Sequence, residues 1–174
     1  ECAANSEPWE FTSPLPVFEN SRTYEVQVRV TDKAGRIKYY PSPFQEFTID
    51  TASPTSKVQV PGLGFGVNDI SSLSGTANDN GKNESVQIAV QQWGTPQLWW
   101  DGDGFDAPQT QPYWNYVVTG SSGILSPDAT SWVYSPAILN TKFAGGLKYL
   151  ILVRSTDVAG NLQTQFDLNV SSMI

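Results

Sequence analysis

The 174-residue chain has no histidine, a single cysteine (Cys2), a single methionine and only 10 Lys and Arg residues. The lack of histidine removes the commonest general base and the commonest metal ligand together. A single cysteine excludes an intrachain disulfide, so cysteine usage does not reveal the redox compartment, and a lone thiol beside a terminus reads as incidental. Against the 10 basic residues stand 17 acidic ones, for a formal charge of −7. That sign opposes nucleic-acid phosphates and anionic lipid headgroups, so neither nucleic acid nor membrane insertion is expected. No apolar run approaches the roughly 20 residues of a helical membrane span. The N-terminal residues have neither the basic nor the apolar region of a signal peptide, so secretion would imply that a leader had been removed. There is no Cys–His pair, no Gly-x-Ser-x-Gly elbow and no phosphate-cradling loop, so the expectation is a protein without enzymatic activity.

What is present is enough apolar material to build a core: 39% hydrophobic and 12% aromatic residues, too much for a wholly disordered chain. It is arranged with a period of two. In Tyr24-Glu-Val-Gln-Val-Arg-Val30 the tyrosine and valines fall on one face and the polar residues on the other, as in a half-buried antiparallel strand. Lys57–Pro61, Ser85–Trp93, Ser131–Tyr134, Lys148–Ser155 and Gln165–Val170 read the same way. Gly, Pro, Asn and Asp clusters such as Asn78–Gly81 and Asp101–Gly104 mark the turns between them. Only Pro136–Phe143 offers so much as a single helical turn. The pattern predicts an all-β protein built as a sandwich.

One segment occurs twice. Tyr24-Glu-Val-Gln-Val-Arg-Val-Thr-Asp-Lys-Ala-Gly35 returns as Tyr149-Leu-Ile-Leu-Val-Arg-Ser-Thr-Asp-Val-Ala-Gly160, an offset of 149 − 24 = 125 residues. Self-similarity of this kind marks a repeated structural unit. Upstream, Trp9-Glu-Phe-Thr-Ser-Pro14 matches Trp132-Val-Tyr-Ser-Pro136; downstream, Phe47-Thr-Ile-Asp50 matches Phe166-Asp-Leu-Asn169. Thr51-Ala-Ser-Pro54 is a short, proline-stiffened junction. The expected organisation is a partial module over residues 1–51 and a complete one over 52–174. About 50 residues of sheet bury too little surface to be stable alone. The first module could therefore be a fragment of a longer array, an extension packed on the second module, or a half completed by strands of another chain.

The frame Tyr-x-Val-x-Val-Arg-x-Thr-Asp-x-Ala-Gly-Asn, the following Phe-x-(Ile/Leu) strand and the Asp-Thr-x-x-Pro junction resemble bacterial immunoglobulin-like repeats, which form tandem arrays in large extracellular and cell-surface proteins. Ser74-Gly-Thr-Ala-Asn-Asp79 before Val86-Gln-Ile-Ala-Val90 is similar to their B–C region. The hairpin Trp100-Asp-Gly-x-x-Phe105 is similar to one in a branch of such repeats. The resemblance implies an immunoglobulin-like β-sandwich with strands A to G over residues 52–174, preceded by equivalents of E, F and G. It implies an extracellular or cell-surface location and, as partners, neighbouring modules of the same array or other copies of the chain. Such modules also meet glycans or surface proteins, but the resemblance is silent about chemistry.

Several residues stand out as candidates. Asp32 with Gly35 and Asp157 with Gly160 are read as turn-formers, the carboxylate accepting backbone N–H groups and the glycine supplying positive φ. Tyr24 and Tyr149 stand where a tyrosine corner is expected. Trp93 is the candidate core tryptophan. Asp101, Asp103 and Asp106 put three hard oxygen donors within six residues, enough to suggest calcium, though Gly lies at the wrong offset for an EF-hand and Pro112 replaces its Glu; otherwise no cofactor is expected. Asn78, Asp79 and Asn80 form a second polar loop that could join that site. Trp99, Trp100, Tyr113 and Trp114 are candidates for a binding or interface surface, since adjacent Trp99 and Trp100 in a strand must face opposite sides; packing beneath the long Asp101–Ser126 loop is the alternative. Lys57, Lys142 or Lys148 with Asn169 would be partners for a Lys–Asn crosslink of the kind found in some surface modules.

Overall fold

The computed structural model describes residues 10–12, 14–62, 69–80, 83–117, 130–167 and 172–173. Cys2, Trp9, Gly81, Asn169 and most of the loop after Val117 lie outside these residues, and with them the Lys–Asn crosslink and the role of the lone thiol. The protein is all-β, and the chain divides into two compact units, Glu1–Thr51 and Ala52–Ile174.

In the first unit, β1 (Thr23–Thr31) and β2 (Ile37–Thr48) form an antiparallel hairpin. Tyr24 pairs with Phe47 and Thr31 with Ile37, with a register shift between Val26 and Val28. Alternation puts Tyr24, Val26, Val28 and Val30 on one face. Phe18 closes one end of the hairpin, its ring 4.9 Å from Tyr24 and 5.5 Å from Phe47. Beyond that aromatic knot the face is open, with Val26 46% and Val30 41% exposed. The stretch matched to the strand before Pro136, residues 9–14, lies partly outside the described residues; among the described residues this unit has β1 and β2.

In the second unit, one sheet runs β3–β4–β9, from β3 (Thr55–Val60), β4 (Leu73–Asn78) and β9 (Ser131–Tyr134). The other runs β11–β10–β5–β6–β7, from β5 (Asn83–Gln92), β6 (Leu98–Trp100), β7 (Phe105–Ala107), β10 (Tyr149–Asp157) and β11 (Ser172–Met173). Strand β8 (Asn115–Tyr116) also pairs with β5. A single helical turn, α1 (Leu139–Lys142), follows β9 and buries Leu139. Val58, Leu73, Trp132 and Tyr134 of the first sheet meet Val86, Ile88, Val90, Trp100, Ile151 and Val153 of the second in one core. Each large side chain so buried stabilises the fold by about 1.5–3 kcal/mol.

A glycine makes part of this packing possible. Gly75 lies opposite Trp132 in the ladder, and a Cβ there would run into the Lys57 carbonyl oxygen and the indole ring. The indole N–H of Trp132 in turn donates to the Thr76 carbonyl at 3.2 Å.

Two expectations are corrected. Trp93 is not the core tryptophan; it is 38% exposed just past the end of β5, and Trp100 and Trp132 fill the core instead. Of the strand expected over Gln165–Val170, Gln165, Phe166 and Asp167 are outside any strand and the remainder lies outside the described residues; among the described residues the last pairing to β10 is made by Ser172 and Met173.

Candidate functional site

The two copies of the repeat share a corner and a turn. The Tyr24 hydroxyl accepts the Glu19 N–H at 2.8 Å, and the Tyr149 hydroxyl accepts the Ala144 N–H at 2.8 Å, each from a residue five positions upstream. At the far end of each strand an aspartate closes a turn. Asp32 Oδ1 accepts N–H bonds from Ala34 and Arg36, and Gly35 sits at φ +83°. Asp157 Oδ1 accepts the Asn161 N–H at 2.8 Å, and Gly160 sits at φ +88°. Positive φ is the reason a glycine stands at both places.

The copies differ in surroundings and charge. Asp32 is on the surface and pairs with the Arg36 guanidinium at 2.6 Å. Bonds from the Arg36 backbone, then from its side chain, hold the Asp32 carboxyl below the usual carboxylate range. The position equivalent to Arg36 is Asn161, whose neutral amide donates to Asp157 Oδ2 at 2.8 Å. Asp157 itself is 0% exposed.

Asp157 belongs to a buried polar corner at the end of β10. Asn83 lies directly opposite it in the ladder, so the two side chains leave the same face of the sheet. Ser155, two residues earlier, shares that face and is also buried. Nearby, the Ser56 hydroxyl donates to Gln163 Oε1 at 2.5 Å, and the Gln163 N–H donates to the Ser155 carbonyl at 3.0 Å. From the loop after β4, Asp79 brings a carboxylate oxygen within 4.8 Å of that of Asp157. Two unit charges at such a separation repel by about 3 kcal/mol at an effective dielectric constant of about 20. Among the described residues, Asn83 Oδ1 and Ser155 Oγ have no hydrogen-bond partner. An orphaned buried oxygen costs about 1–3 kcal/mol. Sequence reading missed this corner because Asp79 and Asn83, at the connection from β4 to β5, meet Ser155 and Asp157 of β10 only through the ladder; its visible trace is the replacement of Val30 and Arg36 by Ser155 and Asn161 in the second copy.

The acidic hairpin between β6 and β7 has a different character. Asp101 Oδ1 accepts the N–H groups of Asp103 at 3.0 Å and Gly104 at 2.9 Å, while Gly102 takes φ +109°. Those bonds, with a smaller contribution from the Lys142 charge, hold the Asp101 carboxyl below its usual range. A Cβ at Gly104 would meet Asp106 Oδ2 at 2.5 Å, so Asp106 folds back on the turn. Among the described residues, Asp101, Asp103 and Asp106 do not gather as a three-carboxylate group. Asp79 converges on Asp157 rather than on this hairpin.

The aromatic surface also needs correcting. Trp99 and Trp100 are 3% and 0% exposed, so neither presents a ring face to a ligand. Trp100 points into the core, with its ring 5.4 Å from Phe105. Trp99 leaves the opposite side of the strand, and its N–H donates to the Gln109 carbonyl at 3.0 Å in the segment following β7. Tyr113 is exposed. Trp114 lies between the Arg154 guanidinium, 4.1 Å from its ring, and Phe166, at 5.8 Å. Partial burial pushes Arg154 below the ordinary guanidinium value, and its Nε donates to Gln87 Oε1 at 2.8 Å.

These features define an all-β, two-sheet unit following a hairpin unit that carries the same corner and turn. No protein-family model matches the chain, and no curated protein matches its sequence.

Proposed function

We propose that the chain is a non-enzymatic structural and adhesive segment of a bacterial extracellular or cell-surface protein built from tandem immunoglobulin-like modules. The observation that carries this reading is the shared fastening of the two units. A tyrosine hydroxyl ties the start of the repeated strand to the backbone five residues upstream, and an aspartate with a positive-φ glycine ties its end. Repetition of such a device is what an array of modules requires, each one refastened before the next begins. The function that follows is mechanical: ladders of paired strands resist extension and hold a surface away from its anchor.

Single-molecule stretching of the chain tests this. The unit from Ala52 to Ile174 should yield in one cooperative step, releasing contour length of about 3.5 Å per residue. Smooth extension with no force peak would remove the mechanical role.

A second reading is favoured by the open apolar face of the first hairpin, where Val26, Val30 and Tyr40, the partner of Val28, are exposed. On this reading, strands of another copy complete the unit and the protein assembles into filaments by β-augmentation. Size-exclusion chromatography over a range of concentrations decides between the two. Growing oligomers favour assembly, and a strict monomer disposes of it. A glycan-binding role is the weakest of the three, because Trp99 and Trp100 offer no stacking face.

A further inference from the structure

We propose that the corner formed by Asp79, Asn83, Ser155 and Asp157 is a binding site for a single calcium ion. Two carboxylates approach within 4.8 Å of each other there, one of them fully buried. The amide oxygen of Asn83, in a side chain only 4% exposed, projects from the same face with no partner among the described residues, as does the Ser155 hydroxyl. Buried oxygens left unpaired beside converging carboxylates are what a hard cation would satisfy.

Comparison of the two copies strengthens the assignment. In the exposed copy, Arg36 neutralises the turn aspartate from within the chain. In the buried copy, a neutral asparagine stands in its place, and an orphaned serine replaces the valine on the strand. At the position of Arg36 the second copy thus carries a neutral side chain, and it has gained oxygen donors at the same corner. Each oxygen of Asp157 accepts one hydrogen bond from Asn161, which leaves lone pairs available for a metal. The donors are carboxylate and amide oxygens set at irregular angles by a strand, a ladder partner and a loop. Calcium tolerates that geometry, whereas magnesium demands a near-ideal octahedron. This inference does not depend on the mechanical role proposed above.

Equilibrium dialysis of the full chain against calcium chloride, in buffer cleared with chelator, is the direct test. One calcium per chain is expected, together with a rise of about 5 °C or more in the unfolding midpoint over the chelated protein when calcium is well above its dissociation constant. Asp79→Asn should abolish both effects, and Asn83→Ala should weaken binding at least about 10-fold; near-UV circular dichroism checks that each variant remains folded. A double Asp101→Asn, Asp103→Asn variant should bind as the native chain does. The assignment is overturned by native protein that dialyses without bound calcium, by an equal response to magnesium, or by binding that is lost in the Asp101/Asp103 double variant and kept in Asp79→Asn.

Discussion

The indole N–H of Trp100 donates to the hydroxyl of Tyr134 at 2.8 Å, both residues being buried and belonging to opposite sheets. The bond is the polar stitch across an otherwise apolar core. Tyr134→Phe keeps the ring but leaves the Trp100 N–H without its acceptor, and should cost about 1–3 kcal/mol. Urea unfolding, with an unchanged slope and a lower midpoint, is the measurement. A loss below about 0.5 kcal/mol would mean the indole finds another acceptor.

The same tyrosine predicts an alkaline limit. Burial, more than offsetting the Trp100 bond, pushes the Tyr134 hydroxyl above its ordinary value of 10.0. The folded state therefore holds the proton more tightly than the unfolded state. Its contribution is complete below pH 10 and is lost as pH rises from there through the folded value. Ultraviolet difference titration should show a late-ionising tyrosine that is missing from Tyr134→Phe.

The two tyrosine corners should differ in strength. Tyr149 is half-buried in a cluster with Phe105 and Phe143, at ring distances of 5.3 and 4.7 Å, and packs on the core; among the described residues the ring contacts of Tyr24 are with Phe18 and Phe47. Removal of the hydroxyl in Tyr149→Phe should cost about 1 kcal/mol. Tyr24→Phe should leave the unfolding midpoint of the second unit within about 0.5 kcal/mol of native. Denaturant titrations of both variants make the comparison.

Gly75 is a steric requirement rather than a conformational one. Gly75→Ala would push a methyl group into the Lys57 carbonyl and the Trp132 ring, and overpacking of this kind costs about 1–3 kcal/mol. Calorimetry should show a lower melting temperature.

Asn161→Arg restores at Asp157 the residue found in the first copy. An internal guanidinium should take over from an external cation, so the unfolding midpoint of this variant should respond less to calcium than that of the native chain. A response equal to the native one would show that the residue at position 161 does not set the charge at Asp157.

Alternation made much of the fold legible. Tyr24 to Val30 reads directly as a strand because one face is apolar and the other polar, and Ser131 to Tyr134 because Trp132 and Tyr134 share a face. The long central strand β5 was recognisable from its run of buried residues. The short strands β6, β7 and β8 were not legible as a sheet, since two or three residues carry no period. The Trp99–Trp100 pair shows why exposure could not be read. Alternation correctly sends the rings to opposite faces, but whether the outer face is covered depends on a segment roughly ten residues away that folds back over it. The polar corner was invisible for a related reason. Asp32 and Asp157 read alike as turn-formers, and it takes the ladder pairing with Asn83 and the approach of Asp79 to show that the second is buried.

Apart from Trp9, every tryptophan in the sequence lies beyond Thr51; Trp100 and Trp132 are sealed inside the sandwich, and Trp99 is buried on the outer side of its strand. The rings at the aromatic knot of the hairpin are Phe18, Tyr24 and Phe47. The intrinsic emission of the protein, excited at the red edge where tyrosine is dark, is thus dominated by one unit. A fluorescence melt follows the sandwich opening, while loosening of the hairpin passes largely unseen. A tryptophan introduced at Phe18 would place a reporter within the aromatic knot of the first unit.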